Sequence, residues 1–287
     1  MSLFGPRSIG LALGGGSARG FAHVGVLKVL EREGIRPSAI AGTSAGAMCG
    51  AMYASGMTAA QIEALALGLD ARGVWGLLDP TVRPGALISG AKLEAWLAEH
   101  LPATFEELRV PFACTSTDLV EGVAVQHTSG DLVKAVRASI AVPLTFRPVR
   151  DGDRVLVDGF LTDPVPVDLT RSLGARVVIA VEVGGSGRIG TGEVEEGGNH
   201  PLQELRASLR GERPRARGAS SIDIAVATVE MLERTITAYE VARADVVISP
   251  DVHAYAGTDF AFVATLIAAG ERAAEKALPT IRTKARL

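Results

Sequence analysis

The sequence predicts an α/β protein, a three-layer α/β/α sandwich with a mostly parallel central sheet. Two observations support this prediction. Short apolar runs bounded by glycine or proline alternate along the chain with longer segments in which apolar residues recur at helical spacing. The first apolar run, residues 8–13, passes through a glycine cluster directly into a helical pattern over residues 20–32. Strands that alternate with helices in this way imply a sheet covered on both faces.

The same patterns locate the remaining elements. Apolar runs predict further strands at residues 39–42, 110–116, 155–158, 176–183 and 245–248. Helical periodicity predicts further helices at residues 45–54, 93–99, 131–140, 167–173, 222–243 and 260–278. Residues 184–221 break the pattern with glycines, glutamates and then arginines, and are interpreted as a flexible insertion because strands and helices resume on both sides. No internal repeat is visible, so residues 1–287 are expected to form one domain.

Composition excludes several classes of protein. Hydrophobic residues make up 47% of the chain and charged residues 21%, which suits a globular protein with a full core and not a disordered one. The net charge of −3 provides no basic field of the kind that attracts nucleic acid, so no nucleic-acid partner is expected. Cys49 and Cys114 have no second cysteine or histidine at metal-ligand spacing. Both are interpreted as reduced core residues, and no metal is expected.

Two segments bear on the location of the protein. Residues 1–13 contain too short an apolar run for a secretory signal. Residues 37–62 carry no charge, but their many Gly, Ala, Ser and Thr residues indicate a buried segment and not a transmembrane helix. The protein is therefore expected to be cytoplasmic.

The most specific local signal is Gly42-Thr43-Ser44-Ala45-Gly46, a G-x-S-x-G sequence at the point where a predicted strand turns into a predicted helix. In such an elbow the serine adopts a strained backbone conformation that holds its Oγ above the edge of the sheet, and Gly42 and Gly46 provide the space that the turn needs. The positive end of the following helix also favours negative charge beside Ser44. Taken alone, the segment fits a tightly packed run of small residues equally well.

A second signal is the sequence Gly-Gly-Gly-Ser-Ala-Arg-Gly at residues 14–20, which follows the first strand and opens the first helix. Backbone amides in this position are free to bind an anion. The spacing does not fit a dinucleotide-binding G-x-G-x-x-G motif, and the segment lacks the Gly-Lys-Ser/Thr ending of a phosphate-binding P-loop. The remaining interpretation is an oxyanion hole, with amides near Gly15 and Gly16 facing the tetrahedral intermediate formed at Ser44.

A serine nucleophile requires a base, and histidine is the first candidate. The chain has five histidines, at His23, His100, His127, His200 and His253. Only the last two follow Asp158, as the Ser-Asp-His order of the α/β-hydrolases requires. His200 falls in the insertion and His253 in a predicted loop after a strand, so neither is well placed. His23 is interpreted as a packing residue near the site, and the other two as surface residues.

Asp158 ends the predicted strand at residues 155–158 and is followed by Gly159. Open α/β sheets bind ligands at the carboxyl ends of their strands. The Asp158 carboxylate is therefore expected at the same edge as Ser44. An ordinary Asp-Gly turn is an equally good reading of this position by itself.

Taken together, these three motifs resemble those of the patatin-like phospholipases in both order and spacing. The resemblance extends to Leu-Ile-Ser-Gly at residues 87–90, Ala-Ser-Ile-Ala-Val-Pro at residues 138–143 and Asp-Pro-Val-Pro at residues 163–166. It covers nearly the whole chain apart from residues 184–221. The resemblance implies the three-layer α/β/α fold with a mostly parallel sheet.

The resemblance also assigns roles to the motif residues. It implies that Ser44 is the nucleophile and that Asp158 is its general base and acid, without a histidine. It implies that the glycine-rich loop provides the oxyanion hole, with three glycines as its core and two residues that support the loop. The three glycines are Gly14, Gly15 and Gly16, and the supporting residues are Arg19 and Gly20.

Two residues depart from the family's pattern. Phe160 stands beside the base where a small residue is usual, which reduces the expected room for an acyl chain there. Ser17 replaces a glycine frequent in bacterial relatives, a tolerable change because the backbone amides supply the donors. Arg19 has two readings, as a brace for the loop or as a ligand for a phosphate head group, and the brace is favoured.

The activity implied by the resemblance is that of a serine acyl hydrolase, which cleaves carboxylic esters of (lyso)phospholipids or related lipids through an acyl-enzyme and needs no cofactor or metal. An acyl-CoA thioesterase or a general esterase would use the same two residues. A lipid-binding protein without turnover is a third alternative.

Peripheral contact with a membrane is a further expectation, and it rests on the insertion. The second half of the insertion carries a series of five arginines, Arg206, Arg210, Arg213, Arg215 and Arg217. Each basic residue near an anionic membrane contributes about 1 kcal/mol. A solvated loop without a role is the favoured alternative.

Overall fold

The computed structural model of the protein describes residues 7–68, 73, 76–77, 79–81, 86–184 and 221–287. The insertion proposed at residues 184–221 lies outside the described residues except for its two end positions. Its flexibility and the lipid contact of its arginines stay predictions.

Eight strands in the described part of the chain form one sheet. In chain order these are β1 (Ile9–Leu13), β2 (Ala39–Thr43), β4 (Phe112–Asp118), β5 (Val123–His127), β7 (Val149–Asp151), β8 (Arg154–Asp158), β9 (Val177–Val181) and β10 (Val246–Ile248). Their order across the sheet is β10-β9-β1-β2-β4-β8-β7, and β5 also pairs with β4. Two short strands, β3 (Ala86–Ile88) and β6 (Leu144–Phe146), pair with each other apart from this sheet.

Helices cover both faces of the sheet. They are α1 (Ala22–Arg32), α2 (Ala45–Ala54), α3 (Ala59–Gly68), α4 (Ala91–His100), α5 (Leu132–Ser139), α6 (Val167–Ser172), α7 (Ser221–Val241) and α8 (Val263–Ala285). Short 3-10 turns occur at Ser17–Phe21, Phe105–Glu107, Gly159–Leu161 and Phe260–Phe262. The predicted α/β/α architecture is confirmed, and most helices begin and end within three residues of their predicted bounds.

Alternation along the central strands builds two cores. In β9, Ile179 and Val181 pack into the large core beneath α1, α2, α3 and α8, whereas Val178 and Ala180 face the smaller core that contains Val167 of α6. Successive side chains of a strand point to opposite faces, so a strand with helices on both sides must be apolar throughout. This explains why the central strands read as continuous apolar runs in the sequence.

The sheet is parallel in its centre and antiparallel at one side. Strands β10, β9, β1, β2 and β4 run parallel to one another. Strands β5 and β8 run antiparallel to β4, and β7 runs antiparallel to β8. The prediction of a mostly parallel sheet is confirmed, but the strand that ends at Asp158 is one of the antiparallel strands.

Helix α1 is held at close range against the C-terminal helix α8. An added Cβ at Gly25 would overlap the carbonyl oxygen of Ile267, and one at Gly270 would overlap the carbonyl oxygen of Ala22. The two backbones therefore approach more closely than any larger residue would allow. This contact fixes the helix that follows the glycine-rich loop. None of the described helices is both long enough and apolar enough to span a membrane.

Candidate active site

Ser44 lies on a sharp turn between β2 and α2. Its backbone has φ 54° and ψ −120°, a conformation that L-residues rarely adopt. An added Cβ at Gly42 would overlap the carbonyl of Gly46, and one at Gly46 would overlap the carbonyl of Leu13. Only glycine fits at both positions. The strained turn thus requires the two glycines that the sequence places around Ser44.

The Ser44 side chain donates a hydrogen bond to the Asp158 carboxylate. The distance from Ser44 Oγ to Asp158 Oδ2 is 2.6 Å, and both residues are buried. The other carboxylate oxygen, Oδ1, accepts the Phe160 amide at 3.0 Å. Burial raises the pKa of Asp158 to about 7, against the opposing effect of the hydrogen bonds from Ser44 and Phe160. The structure brings the two residues together, as the sequence analysis expected.

The path by which Asp158 reaches Ser44 differs from the expected one. The carboxyl end of an antiparallel strand does not lie at the same edge as the carboxyl ends of its parallel neighbours. Strand β4 pairs with β2 only as far as Thr115 and continues to Asp118. Strand β8 pairs with that extension and runs back, so that Asp158 is opposite Ser116. The two side chains meet because β8 stops at the level where β2 ends, and the edge rule for parallel strands does not apply.

Ser139 is a site residue that the sequence analysis included in a motif but did not recognise as functional. Its Oγ accepts the backbone N–H of Ser44 at 2.9 Å and donates to the carbonyl of Thr115 at 2.7 Å. Ser139 has no exposed surface. The strained turn leaves the Ser44 amide without a partner in the sheet, and a buried amide without a partner is costly. The signal was a serine on the apolar face of an amphipathic helix, where its polar group needs a specific partner.

The amides of the glycine-rich loop without an acceptor overlap only in part with those expected. Gly14 N–H donates to Val181 O and Gly15 N–H donates to Pro164 O, each at 2.9 Å. These two amides tie the loop to neighbouring segments, and the role of the three glycines as an oxyanion hole stays a prediction. The amides of Gly16 and Ser17 have no hydrogen-bond acceptor among the described residues. Ser17 has a positive φ of 52°, so the turn reverses there.

Arg19 and Gly20 fix the far side of this loop. The Arg19 side chain is buried and donates to the carbonyls of Val183 and Tyr255 and to the carboxylate of Glu230, at 3.1 to 3.2 Å. This places the guanidinium among protein acceptors, the arrangement of a brace. An added Cβ at Gly20 would overlap the Ala45 side chain. The loop therefore packs directly against the start of α2.

The motif at residues 163–166 joins several parts of the site. The backbone carbonyl of Asp163 accepts a hydrogen bond from the Thr43 hydroxyl at 2.7 Å. The Asp163 carboxylate accepts one from the Thr115 hydroxyl at 3.0 Å. The Val165 amide donates to Glu240 on α7 at 2.7 Å. Burial, followed by the hydrogen bond and charge of Asp163, raises the pKa of Glu240 to about 9. This motif thus links the loop, β2, β4 and α7 beneath the site.

The described histidines contact neither Ser44 nor Asp158 by a hydrogen bond. His23 is fully buried, and its Nε2 donates to the carbonyl of Gly14 at 2.8 Å. Burial lowers the pKa of His23 to about 4, so it is a neutral support for the loop at physiological pH. His253 is exposed, with Nδ1 at 3.3 Å from the carbonyl of Gly184. His200 lies outside the described residues.

The remaining histidines lie on other parts of the molecule. His100 stacks on Trp96 and bonds to its carbonyl. His127 Nε2 lies 2.8 Å from the hydroxyl of Ser116, and its ring is partly buried, so it is not the surface residue that the sequence analysis expected. Its partner Ser116 is one residue beyond the carbonyl that binds Ser139.

Comparison with known sequences places this geometry in a family. The sequence model of the family described as "Patatin-like phospholipase" matches residues 11–171, more than half of the chain. This range contains the glycine-rich loop, the elbow, Ser139 and Asp158.

Curated relatives match this chain over a length similar to that matched by the family model. The chain is 36% identical over 182 residues to an uncharacterized NTE family protein of Mycobacterium tuberculosis, covering 63% of this chain and 50% of that protein. It is 37% identical over 186 residues to a patatin-like phospholipase domain-containing protein of Caenorhabditis elegans, covering 62% of this chain and 14% of that one. A lysophospholipase of Aspergillus fumigatus is 35% identical over 182 residues, with coverages of 62% and 12%. The chain thus matches at most about half the length of these relatives.

Solved structures give a weaker likeness. ExoU of Pseudomonas aeruginosa, in its complex with SpcU, has a TM-score of 0.48 and 16% identity, over 98% of this chain and 52% of that one. VipD of Legionella pneumophila has a TM-score of 0.44 and 15% identity, over 92% of this chain and 67% of that one.

Proposed function

The chain belongs to the patatin-like phospholipase family, and from this premise we propose that it is a serine acyl hydrolase of lipid esters that uses a Ser44–Asp158 dyad. The observation that carries the proposal is the 2.6 Å hydrogen bond from Ser44 Oγ to Asp158 Oδ2 in a buried site. A nucleophile within hydrogen-bond reach of its base is the basic requirement of covalent acyl transfer.

Acylation begins with attack of Ser44 Oγ on the ester carbonyl carbon while Asp158 Oδ2 accepts the hydroxyl proton. The negative charge moves to the carbonyl oxygen, where the amides of Gly16 and Ser17 are the proposed donors and the N-terminus of α2 adds a favourable dipole. The tetrahedral intermediate then collapses. The bond to the leaving alkoxide breaks, Asp158 returns the proton to it, and an ester of Ser44 remains.

Deacylation repeats these steps with water as the nucleophile. Asp158 accepts a proton from the water as its oxygen attacks the acyl carbon, and then returns a proton to Ser44 Oγ as the carboxylic acid leaves. A carboxylate with an ordinary pKa is a weak base, but burial raises the pKa of Asp158 to about 7. A general base performs best when its pKa is near the working pH. This supports Asp158 in the role that histidine has in a triad.

The substrate class is proposed from the family and from a relative. One relative is named a lysophospholipase, so we take a lysophospholipid as the first substrate to test. Diacyl phospholipids, acyl-CoA and nitrophenyl esters complete the panel, because a thioesterase and a general esterase would use the same dyad. The substrate with the highest kcat/KM identifies the activity.

A fluorophosphonate probe tests the site directly. Attack by Ser44 Oγ on phosphorus displaces fluoride and leaves a phosphonyl adduct that resembles the tetrahedral intermediate. Mass spectrometry of the digested protein should find the adduct on Ser44. The Ser55→Ala variant is a matched control, because the Ser55 hydroxyl lies at the other end of α2 and donates to Met52 O. An adduct on another residue, or none in a preparation that hydrolyses esters, would contradict the proposal.

A further inference from the structure

The turn between β4 and β5 exposes apolar side chains to solvent. It consists of Leu119, Val120, Glu121 and Gly122, and β5 begins with Val123. Leu119 is 52% exposed, Val120 60% and Val123 52%, and these three residues form what we call the apolar tip. Turns usually carry glycine, asparagine, aspartate or serine, and neighbouring exposed apolar residues often mark an interaction site. No step of the proposed catalytic cycle involves this turn.

The backbone of the turn is held in one shape by Asp118. The Asp118 side chain is buried, and its Oδ1 accepts the Val120 amide at 3.0 Å and the Val155 amide at 3.3 Å. The Asp118 carbonyl accepts the Gly122 amide at 2.8 Å. The Leu119 amide donates to the carbonyl of Val155 at 2.9 Å. The apolar side chains are therefore presented on an ordered turn, and binding through them would cost little backbone entropy.

The apolar tip lies on the side of the sheet where Ser44 emerges. Strand β2 ends at Thr43, which is paired with Thr115 of β4. Strand β4 continues in the same direction as far as Asp118. At about 3.3 Å per residue, Leu119 lies about 13 Å beyond the level at which β2 ends. A surface in contact with the tip would therefore face the edge of the sheet that carries the nucleophile.

The small size of the apolar tip favours a lipid bilayer over a second protein. Three aliphatic side chains at about half exposure present on the order of 200 to 300 Å², whereas a stable protein interface buries about 800 Å² on each partner. A bilayer has no such minimum, because each apolar group that enters it gains separately.

The charges around the tip indicate which bilayer fits. The ionisable side chains of this turn and of the adjacent β7–β8 turn are of both signs, and they are Arg150, Arg154, Glu121, Asp151 and Asp153. This mixture provides no basic field that would select anionic lipid. The fit is therefore to a zwitterionic surface such as phosphatidylcholine.

We propose that the apolar tip inserts into the surface of a zwitterionic lipid bilayer and brings Ser44 to the lipid esters held there. The proposal rests on the proposed hydrolase function, because such a surface contains the substrates. Apolar groups at an interface enter to a depth of about 5 to 10 Å. A tip about 13 Å beyond the end of β2 reaches that depth before the edge of the sheet meets the head groups.

The driving force distinguishes this contact from the one predicted for the arginine series of the insertion. Burial of apolar side chains depends little on salt, whereas attraction between arginines and anionic lipid is screened by it. Vesicle binding through the tip should therefore persist at high salt.

An environment-sensitive fluorophore at position 120 tests insertion directly. Cys49 and Cys114 are both buried, and burial raises the pKa of each thiol, so a Val120→Cys variant can be labelled at the new thiol alone. With phosphatidylcholine vesicles, a nitrobenzoxadiazole label there should emit more strongly and at shorter wavelength, at low and high salt alike. Val247→Cys is the matched control, because Val247 is 40% exposed on β10 and lies level with Ala41, before the end of β2. Its label should not respond.

Unlabelled variants test whether insertion serves catalysis. Val120→Ser should lower the vesicle partition coefficient by about tenfold, because each buried methylene accounts for about fourfold. Hydrolysis of a lysophospholipid carried in the vesicles should fall by a similar factor, while kcat/KM for soluble nitrophenyl acetate stays at the wild-type value. Val247→Ser should change none of these quantities. Thermal unfolding of each variant reports whether the fold is retained.

The inference and the proposed function can fail separately. A label at position 120 that does not respond, or equal partition coefficients for Val120→Ser and Val247→Ser, would overturn the inference while hydrolysis of the soluble ester keeps the hydrolase proposal. A dimer that Val120→Ser dissociates, detected by light scattering, would make the tip an interface between two copies and would also overturn it. If the wild type hydrolyses no ester but the label inserts, the hydrolase proposal fails and insertion of the tip is supported.

Discussion

The region around Ser44 and the region around Asp158 meet in one hydrogen bond but are built differently. Around Ser44, the parallel strands β1 and β2 end at the same edge, and each continues at once into a loop or helix. Around Asp158, strand β8 runs antiparallel to an extension of β4 and returns to the site from outside the edge. The first region is a local turn in the chain, whereas the second depends on the pairing of distant segments.

This difference predicts how each region responds to change. The Ser44 turn is constrained by steric contacts within a few residues, such as that between Gly42 and Gly46. The position of Asp158 depends on strand register and burial, and its pKa follows from that burial. Changes near Ser44 should therefore act on geometry, and changes near Asp158 on protonation and stability.

The largest expected effect comes from removing either half of the proposed dyad. Ser44→Ala and Asp158→Asn should each lower kcat by about 10⁴-fold or more, and the double variant should lose little beyond that, because the two groups act as one unit. Steady-state hydrolysis of the best ester measures the loss. His253→Ala is the control and should keep most of the activity. A loss of about 10³-fold in that control would instead indicate a histidine triad.

A smaller effect is expected at the residue that connects the two regions. Ser139→Ala removes the partner of the Ser44 amide and the link to Thr115 O. We expect kcat to fall by about 10- to 100-fold with little change in KM, because a small misplacement of a nucleophile is enough to slow the chemical step. The kcat of Ser139→Cys, which keeps a weak donor, should lie between those of the wild type and Ser139→Ala.

The Ser139 prediction has a matched control. The Ser172 hydroxyl donates to a backbone carbonyl at 2.7 Å in the same way, but on α6 and away from the site. Ser172→Ala should keep wild-type kinetics. The positioning role fails if Ser139→Ala retains full kcat and the wild-type rate of reaction with a fluorophosphonate.

The pH dependence of activity should report the Asp158 region. Asp158 must be deprotonated to act as a base, and its pKa is raised to about 7 by burial. On the acid side, kcat/KM should increase about tenfold per pH unit and level off above about pH 7. His23, with its pKa lowered to about 4, does not titrate in this range. A profile that is flat from pH 5 to 8 would be inconsistent with Asp158 as the base.

A further effect is expected on stability, and it has the opposite sign to the effect on activity. The folded pKa of Asp158 lies above its unfolded value of 3.8, so the folded state holds the proton more tightly. The contribution of Asp158 to stability is therefore fully present below pH 3.8 and decreases as the pH rises towards about 7. The Asp158→Asn variant lacks this decrease. Its free energy of unfolding should exceed that of the wild type at pH 8, and the two values should be closer to each other at pH 5. Urea unfolding at the two pH values measures the difference, and an equal difference at both would refute the linkage.

Short strands show which parts of the fold could not be read from the sequence. The central strands bury both faces, so their apolar runs were visible, and α2 was predicted with its observed bounds. The strands β3, β6 and β7 have only three residues each, and β5 is largely exposed. Such segments have too few positions for a period of two to be recognised. They form because a neighbouring strand is present to pair with them.

The sequence by itself determined the three-layer α/β architecture and the elbow at Ser44, and motif order led to the proposal of Asp158 as the base. These features depend on local periodicity, on the steric demands of glycine and on the order of motifs along the chain. Tertiary structure alone decided three further features. It gave the antiparallel return of β8, the hydrogen bond from Ser44 N to Ser139 and the hydrogen bonds from the Gly14 and Gly15 amides to Val181 and Pro164. Each of these is a contact between segments far apart in the chain, and the partner of a backbone amide or a strand edge is known only when the packed neighbours are known.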